Sequence, residues 1–398
     1  MPGDIVNATI DSAGINDIYL MVAHAFDKMK GQKIKHPDRV AIFMDHNAPS
    51  PTVKGADNQK AFRDFAKKYG VTHVFEINEG ICHVTLVEAG MIRPGTIVIL
   101  TDSHTTTHGA FGAFGTGVGS TDMAVILMEG SLWLRAPQVV NIKLDGRLKP
   151  GVMAKDAALF ILGKLGTDFA NYKAIEFSGD IVRDMPVEER MVLCNMAVEM
   201  GAKTTFIVPD EKTVTYLRQY TDVVFDVPAT DPDFIYESTY EFDLSDLEPL
   251  VALPCSVDNV KKVKDALGTS IDQVFIGSCT GGKFTDIEVA AIYLRGKKVA
   301  AGMRLVVTMA SKRIIRQAID KGYYQILLDA GAAITVPGCG ACFGGHSGLL
   351  GNGEKCATTS NRNFPGRMGS ESSELYLVSP ITAAATAVAG KLTHPDYE

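Results

Sequence analysis

Short β-branched runs alternate with helical stretches along almost the whole chain. This alternation narrows the fold more than any other feature. Strands joined through helices pair in parallel and build α/β layers, which excludes a β-sandwich or a helix bundle. Val40 to Met44 reads as a strand, Asp57 to Tyr69 as a helix with Phe62, Phe65, Ala66 and Tyr69 at helical spacing, and Val71 to Ile77 as the next strand. Thr96 to Leu100 is a further buried strand, and a glycine-rich loop leads from it to the apolar helix Asp122 to Met128. Strands Pro137 to Leu144 and Ala174 to Phe177 bracket a helix from Ala154 to Leu165. Pro186 to Met200 reads as a helix with proline near its first turn, where helix starts favour it.

Around Asp222 to Pro254 the periodicity fades into acidic, proline-containing sequence, which marks a domain boundary. A second α/β series follows: strand Val274 to Gly277, helix Asp286 to Leu294, strand Leu305 to Thr308, helix Lys312 to Lys321, strand Ala333 to Val336, and an alanine-rich helix opened by Ser379-Pro380. Three domains are expected, 1–136, 137–254 and 255–398. No repeat of 20–50 residues points to a solenoid or propeller.

A net charge of −7 weighs against a protein whose main task is to neutralise phosphates on nucleic acid. Seven cysteines are too sparse for a secreted disulfide scaffold, and the odd count leaves at least one thiol unpaired, so a reducing compartment is expected. The N-terminus has no basic segment followed by an apolar one, and no apolar run reaches the roughly 18 residues of a membrane span. A cytoplasmic location is expected.

Residues able to do chemistry gather just past the ends of strands: Asp45-His46, Asp102-Ser103-His104, Cys279 and the Cys339/Cys342 pair. Open α/β sheets place ligand crevices there, which suggests one shared cleft. The sharpest signal is Gly277-Ser-Cys279-Thr-Gly-Gly after one strand and Pro337-Gly-Cys339-Gly-Ala-Cys342 after another. Three readings are open. A structural zinc site would need a fourth ligand, for which Cys356 or His346 is available. A redox pair of thioredoxin type leaves Cys279 unexplained. An iron–sulfur cluster on three thiolates leaves one iron open to a substrate hydroxyl and carboxylate.

Four ordered motifs resemble the aconitase superfamily: Thr101-Asp-Ser-His-Thr105 with Thr107-His-Gly-Ala-Phe-Gly112, Gly277-Ser-Cys-Thr280, Gly338-Cys-Gly-Ala-Cys342, and Ser360-Asn-Arg-Asn-Phe-Pro-Gly-Arg367. The likeness is greatest to its two-subunit branch, the large subunits of isopropylmalate isomerase, homoaconitase and dimethylmalate dehydratase. It implies an α/β fold of three aconitase-like α/β/α domains around a central cleft. It also implies a [4Fe–4S] cluster on Cys279, Cys339 and Cys342 with one open iron, and a hydro-lyase that eliminates and re-adds water beside a carboxylate. Leucine biosynthesis would be its setting, with 3-isopropylmalate the first choice of substrate. Homoaconitate, 2,3-dimethylmalate, citraconate or methylmalate, and maleate are the alternatives.

By the same resemblance Asp45, His46, His83, Asp102, His104 and Glu199 are catalytic, with His46 beside Asp45 and His83 linked to Asp102 and Glu199. Ser103, Asn195, Asn361, Arg362 and Arg367 contact the substrate or lie near the cluster, and the two arginines offer fork-shaped donors to a carboxylate. The family often reads Cys-Thr-Asn-Gly-Arg at the first cysteine, whereas this chain has Cys279-Thr-Gly281-Gly-Lys283. Single-chain aconitases continue into a swivelling fourth domain that carries a serine base and a further arginine. That domain is expected to be absent here and supplied by a small-subunit partner in a heterodimer or heterotetramer. An RNA-binding apo form is the reading from another class, resting on the basic stretch Arg295, Lys297, Lys298, Arg304, Lys312, Arg313 and Arg316.

Overall fold

Three sheets with parallel strand pairing follow one another along the chain. The computed structural model describes residues 1–396; Tyr397 and Glu398, which close the third expected domain, lie outside the described residues. The first sheet has five parallel strands in the order His73–Phe75, Val40–Phe43, Ser12–Asn16, Ile97–Leu100, Phe114–Gly117. The second orders Thr204–Phe206, Ala174–Ser178, Val139–Asp145 and Ser238–Asp243. The third runs Val260–Lys262, Leu250–Ala252, Glu374–Leu377, Lys355–Thr358, Gln273–Ile276, Arg304–Val307, Ala333–Ile334, antiparallel only around Leu250–Ala252. Their central strands are apolar on both faces, as helix-covered parallel strands must be: Val40–Phe43 and Gln273–Ile276 are buried throughout.

Packing divides the chain into two compact units. The first comprises Met1–Ile77, Cys82–Leu144 and Ala170–Phe242; the second Asn78–Ile81, Asp145–Phe169 and Asp243–Glu398. The segment carrying helix Ala154–Leu165 thus leaves the first unit between two of its strands and packs in the second. Strand Leu250–Ala252, which precedes the boundary expected after Pro254, already belongs to the third sheet.

Helix ends follow local chemistry. Helix Val53–Tyr69 starts where the Thr52 hydroxyl accepts from the Gly55 amide at 3.1 Å and stops at Gly70. The helix expected to Met200 ends at Met196, and Ala197–Met200 continues as a tighter 3-10 turn that carries Glu199. In the first unit, the 3-10 segment Ser103–Phe111 presses on strand Thr204–Phe206, an approach only glycine permits. A Cβ on Gly109 would stand 2.0 Å from Thr205 Oγ1 and 2.4 Å from the Thr205 carbonyl oxygen.

The Gly109→Ala variant should therefore lose about 1–3 kcal/mol of stability. A urea midpoint that falls at unchanged slope checks this, and an unchanged midpoint refutes the close approach.

Candidate active site

In the first unit, the first sheet and its connections bring together all of the acid–base residues except Glu199, which a connection of the second sheet supplies. Strand Ser12–Asn16 ends in Asn16, whose amide donates to both Asp45 oxygens at 3.0 and 3.2 Å. The Thr101 hydroxyl holds that amide by donating to Asn16 Oδ1 at 2.9 Å. Asp45 Oδ2 also accepts from the Cys82 backbone at 2.9 Å, at the start of helix Cys82–Glu88. His46 Nδ1 lies 2.8 Å from Asp45 Oδ1. Behind the pair, buried Asp17 accepts from the His46 and Asn47 amides at 3.0 Å each and from Gln59 at 3.0 Å, which fixes the turn carrying His46.

Asp102 caps the 3-10 segment Ser103–Phe111, accepting from the His104 amide at 2.7 Å. The same Oδ1 lies 2.9 Å from His83 Nε2 and 3.4 Å from His104 Nδ1, while Oδ2 stands 3.7 Å from His46 Nε2. One carboxylate thus meets three imidazoles. His104 Nε2 continues the chain to Glu199 Oε1 at 3.0 Å. The expected link of His83 to Asp102 is present. Glu199, however, bonds His104 and not, among the described contacts, His83, because the 3-10 turn at Ala197–Met200 carries it to the far nitrogen of His104.

Burial opposes charge on His46, but Asp45 beside it, with Asp102 and Asp17, raises its pKa to about 9. Burial likewise opposes charge on Asp45 and Asp102, and the histidines win: His46 holds Asp45 below the usual carboxylate range, and His83 and His104 hold Asp102 well below it. His46 is therefore an imidazolium near neutrality, with Nδ1 against Asp45 and Nε2 facing Asp102. Asn195 donates to the Thr107 hydroxyl at 2.8 Å, which in turn donates to the His104 carbonyl at 2.6 Å. Ser103 opens the same segment, half-buried.

In the second unit, two of the thiols meet at one amide. Asn361 Nδ2 lies 3.5 Å from Cys279 Sγ, and Cys342 Sγ lies 3.6 Å from Asn361 Oδ1. Cys279 follows strand Gln273–Ile276 through Ser278, a non-glycine residue with φ of 76°, a strained backbone of the kind that functional turns retain. Cys339 caps the 3-10 turn Gly340–Phe343 that contains Cys342, and the Cys342 amide donates to the Cys339 carbonyl at 2.9 Å. Arg362 and Arg367 follow Asn361 on the loop after strand Lys355–Thr358, both half-buried, with the Arg367 guanidinium 5.7 Å from the Phe364 ring centre.

Space accounts for the glycine at 281. A Cβ on Gly281 would fall 2.0 Å from Thr359 Oγ1, and that hydroxyl bridges the Gly277 amide and carbonyl at 2.9 and 3.0 Å. Thr359 thus occupies the room a larger residue at 281 would need. Lys283 is buried, its ammonium 2.7 Å from Asp286. Sequence reasoning missed a second buried lysine, Lys155, which donates to the carbonyls of Thr359 and Ser360 at 3.2 and 2.5 Å. Burial, with Lys283 nearby, lowers its pKa to about 8 against the opposing pull of Cys342 and Cys279.

The donor set distinguishes between metals. One tetrahedral zinc, with Zn–S near 2.3 Å, needs its sulfurs within about 4 Å of one another. Among the described residues the only trio of ligand atoms within 4.8 Å is Asp17, Asp45 and His46, so the three thiols are not gathered on one ion. A cubane, whose cysteines each hold a different iron, does not require that closeness. Cys356 is buried in an apolar cluster, and burial raises its thiol pKa, as it raises that of Cys194 to about 12. Both act as small hydrophobes.

A model described as the aconitase family (aconitate hydratase) matches residues 6–270 and 260–390. The chain is 46% identical to the 3-isopropylmalate dehydratase large subunit 1 of Methanopyrus kandleri over 99% of this chain and 94% of that protein. Identity is 44% to the 3-isopropylmalate dehydratase large subunit of Aquifex aeolicus, covering 99% and 93%. It is 45% to the probable methanogen homoaconitase large subunit of Methanosarcina mazei, covering 98% and 99%. Among solved structures, Thermococcus kodakaraensis aconitase X in its holo form matches with a TM-score of 0.52 at 14% identity, over 90% of this chain and 84% of that one, a likeness of fold.

Two outcomes are expected from this geometry. The folded pKa of His46, about 9, lies above the ordinary 6.5, so the pair with Asp45 stabilises fully below pH 6.5 and its contribution fades as pH climbs through 9. Nitrogen-15 histidine NMR should find both ring protons on His46 at pH 8; titration near 6.5 refutes the assignment. Gly281→Asn should cost about 1–3 kcal/mol by overpacking, and Thr359→Ala added to it should recover part of the loss. Strictly additive thermal shifts would show that the two residues do not share space.

Proposed function

The chain belongs to the aconitase family of hydro-lyases, and from that premise we propose that it is the large subunit of a [4Fe–4S] isomerase acting on a branched hydroxy-dicarboxylate, first of all 3-isopropylmalate. The observation that carries the chemistry is the His46–Asp45 pair joined through Asp102 to His83, His104 and Glu199. Elimination of water needs a proton delivered to a departing hydroxyl and a stabilised enolate-like carboxylate. Support for the substrate comes from relatives named 3-isopropylmalate dehydratase, and for leucine biosynthesis from the same names. A homoaconitase relative of equal similarity keeps homoaconitate as the alternative.

Cys279, Cys339 and Cys342 would hold the cluster, with the Asn361 amide between two of the sulfurs. When bound, the group supplies an iron without a protein ligand, a Lewis acid for a hydroxyl and a carboxylate. His46 keeps a mobile proton at Nε2 and, as general acid, hands it to the leaving hydroxyl; on re-addition it takes one back. Asp45 stays anionic under the Asn16 amide and the Cys82 N–H, so the imidazolium is stabilised without taking its second proton. Asp102 and Glu199 orient His83 and His104. Arg362 and Arg367 bind the substrate carboxylates, Ser103 contacts the substrate, and Asn195 steadies the His104 segment through Thr107.

The "large subunit" in the relatives' names supports a small-subunit partner in a heteromer, bearing the swivelling domain and the base that removes the C–H proton. The RNA reading finds little support, because Arg304 and Lys312 of the basic stretch are taken up by Glu354 and Glu79 at 2.8 Å each.

Co-expression with a small-subunit gene, anaerobic reconstitution and a panel of hydroxy-diacids tests the proposal. The complex should show a cubane by EPR after loss of one iron and turn over 3-isopropylmalate, with little turnover by the large subunit alone. Preference for another diacid replaces the substrate, and failure of any cubane to form removes the mechanism. Arg367→Lys should lower kcat/KM by about 100-fold with the cluster spectrum intact, since an ammonium cannot replace a fork of donors.

A further inference from the structure

We propose that Lys155 is an electrostatic support of the cysteine site, its buried charge helping to retain the cluster on Cys279, Cys339 and Cys342 and raising the cluster's reduction potential. The inference rests on the reading that these cysteines hold a [4Fe–4S] group.

A lysine in the first turn of a helix ordinarily lays its stem along the surface and keeps its ammonium in water. Lys155, second residue of helix Ala154–Leu165, is 1% exposed. Its Nζ reaches the main chain immediately before Asn361, donating to the Thr359 carbonyl at 3.2 Å and the Ser360 carbonyl at 2.5 Å. The Thr280 hydroxyl donates to that same Thr359 carbonyl at 2.8 Å, so the ammonium shares an acceptor with the neighbour of Cys279. One residue beyond Ser360, the Asn361 amide touches the sulfurs of Cys279 and Cys342. The charges of Asp286 and Asp156 act on the ammonium as well, while Asp286 Oδ2 is hydrogen-bonded to the Lys283 ammonium at 2.7 Å and Asp156 accepts from the amides of Met153 and Leu250 at 2.9 and 2.8 Å.

Carbonyl groups satisfy hydrogen bonds, yet a neutral donor would satisfy them at a lower desolvation cost than an ammonium. A cationic side chain at this place has a purpose once three thiols become thiolates. They bring three negative charges against the two positive charges of an oxidised cubane core, and a fixed positive charge close by stabilises that assembly. It also favours the state holding one more electron. Lys155 is thus a positioning residue for Asn361 and a charge for the sulfurs, acting through both and touching no substrate.

The test compares wild type with Lys155→Gln, which keeps an N–H donor and drops the charge, and Lys155→Arg, which keeps both. Each is reconstituted anaerobically, titrated with dithionite under EPR for its midpoint potential, and challenged with a chelator to time iron loss. The Gln variant should show a more negative potential and iron loss at least tenfold faster, whereas the Arg variant should stay near wild type. Metal-free Gln protein should melt no earlier than metal-free wild type. A Gln variant that matches wild type in potential and iron loss overturns the proposal, as does an Arg variant that falls with Gln. Wild type that accepts no cluster would instead overturn the reading of the cysteines.

Discussion

A carboxylate shared by three histidines is the constraint on which the first unit's chemistry depends. An ionised acid taken out of water must be repaid by charge-assisted bonds, or it takes up a proton. Asp102 stays ionised because it meets His83, His104 and, at longer range, His46, and because it accepts the His104 amide as a cap. The cap requires Asp102 to sit at the end of strand Ile97–Leu100 and the start of the 3-10 segment, so the sheet sets its position. Around it acids and histidines alternate, Asp45, His46, Asp102, His104, Glu199, each within 3.7 Å of the next. Hydrogen-bonded groups polarise one another, which is why their roles belong to the set.

Much of this was legible in the sequence. The alternation of strands and helices anticipates the parallel sheets because β-branched and apolar runs suit strands buried on both faces. Helix Ala154–Leu165 is expected at the bounds observed, since its apolar residues recur at helical spacing. Strands Ser12–Asn16 and Lys355–Thr358 went unread, as they are short, carry glycine, serine or lysine, and owe their form to neighbours on either side. Asn16 and Asp17 were hidden with the first of them. Lys155 was hidden for another reason: sequence spacing shows which helix face a residue occupies, not that an ammonium has been drawn inward to two carbonyls two hundred positions away.

In the second unit, Gly281 and Thr359 share one space. Glycine at 281 and threonine at 359 are one choice made twice, because the hydroxyl at 359 ties the backbone of Gly277 while its methyl-bearing carbon fills the space next to Gly281. Lys283 in place of arginine is taken up locally by Asp286, at the start of helix Phe284–Leu294.

The path of the chain between Leu144 and Ala170 bears on how the molecule is made. Residues 145–169 join a unit whose main body begins only at Asp243, while the strands on either side of them belong to the other unit. During synthesis that stretch emerges long before most of its packing partners exist, and it must wait, apolar face uncovered, while residues 170–242 are added and the rest of its unit follows. The two units are therefore interleaved in translation order, and a ribosome stalled midway would leave both unfinished.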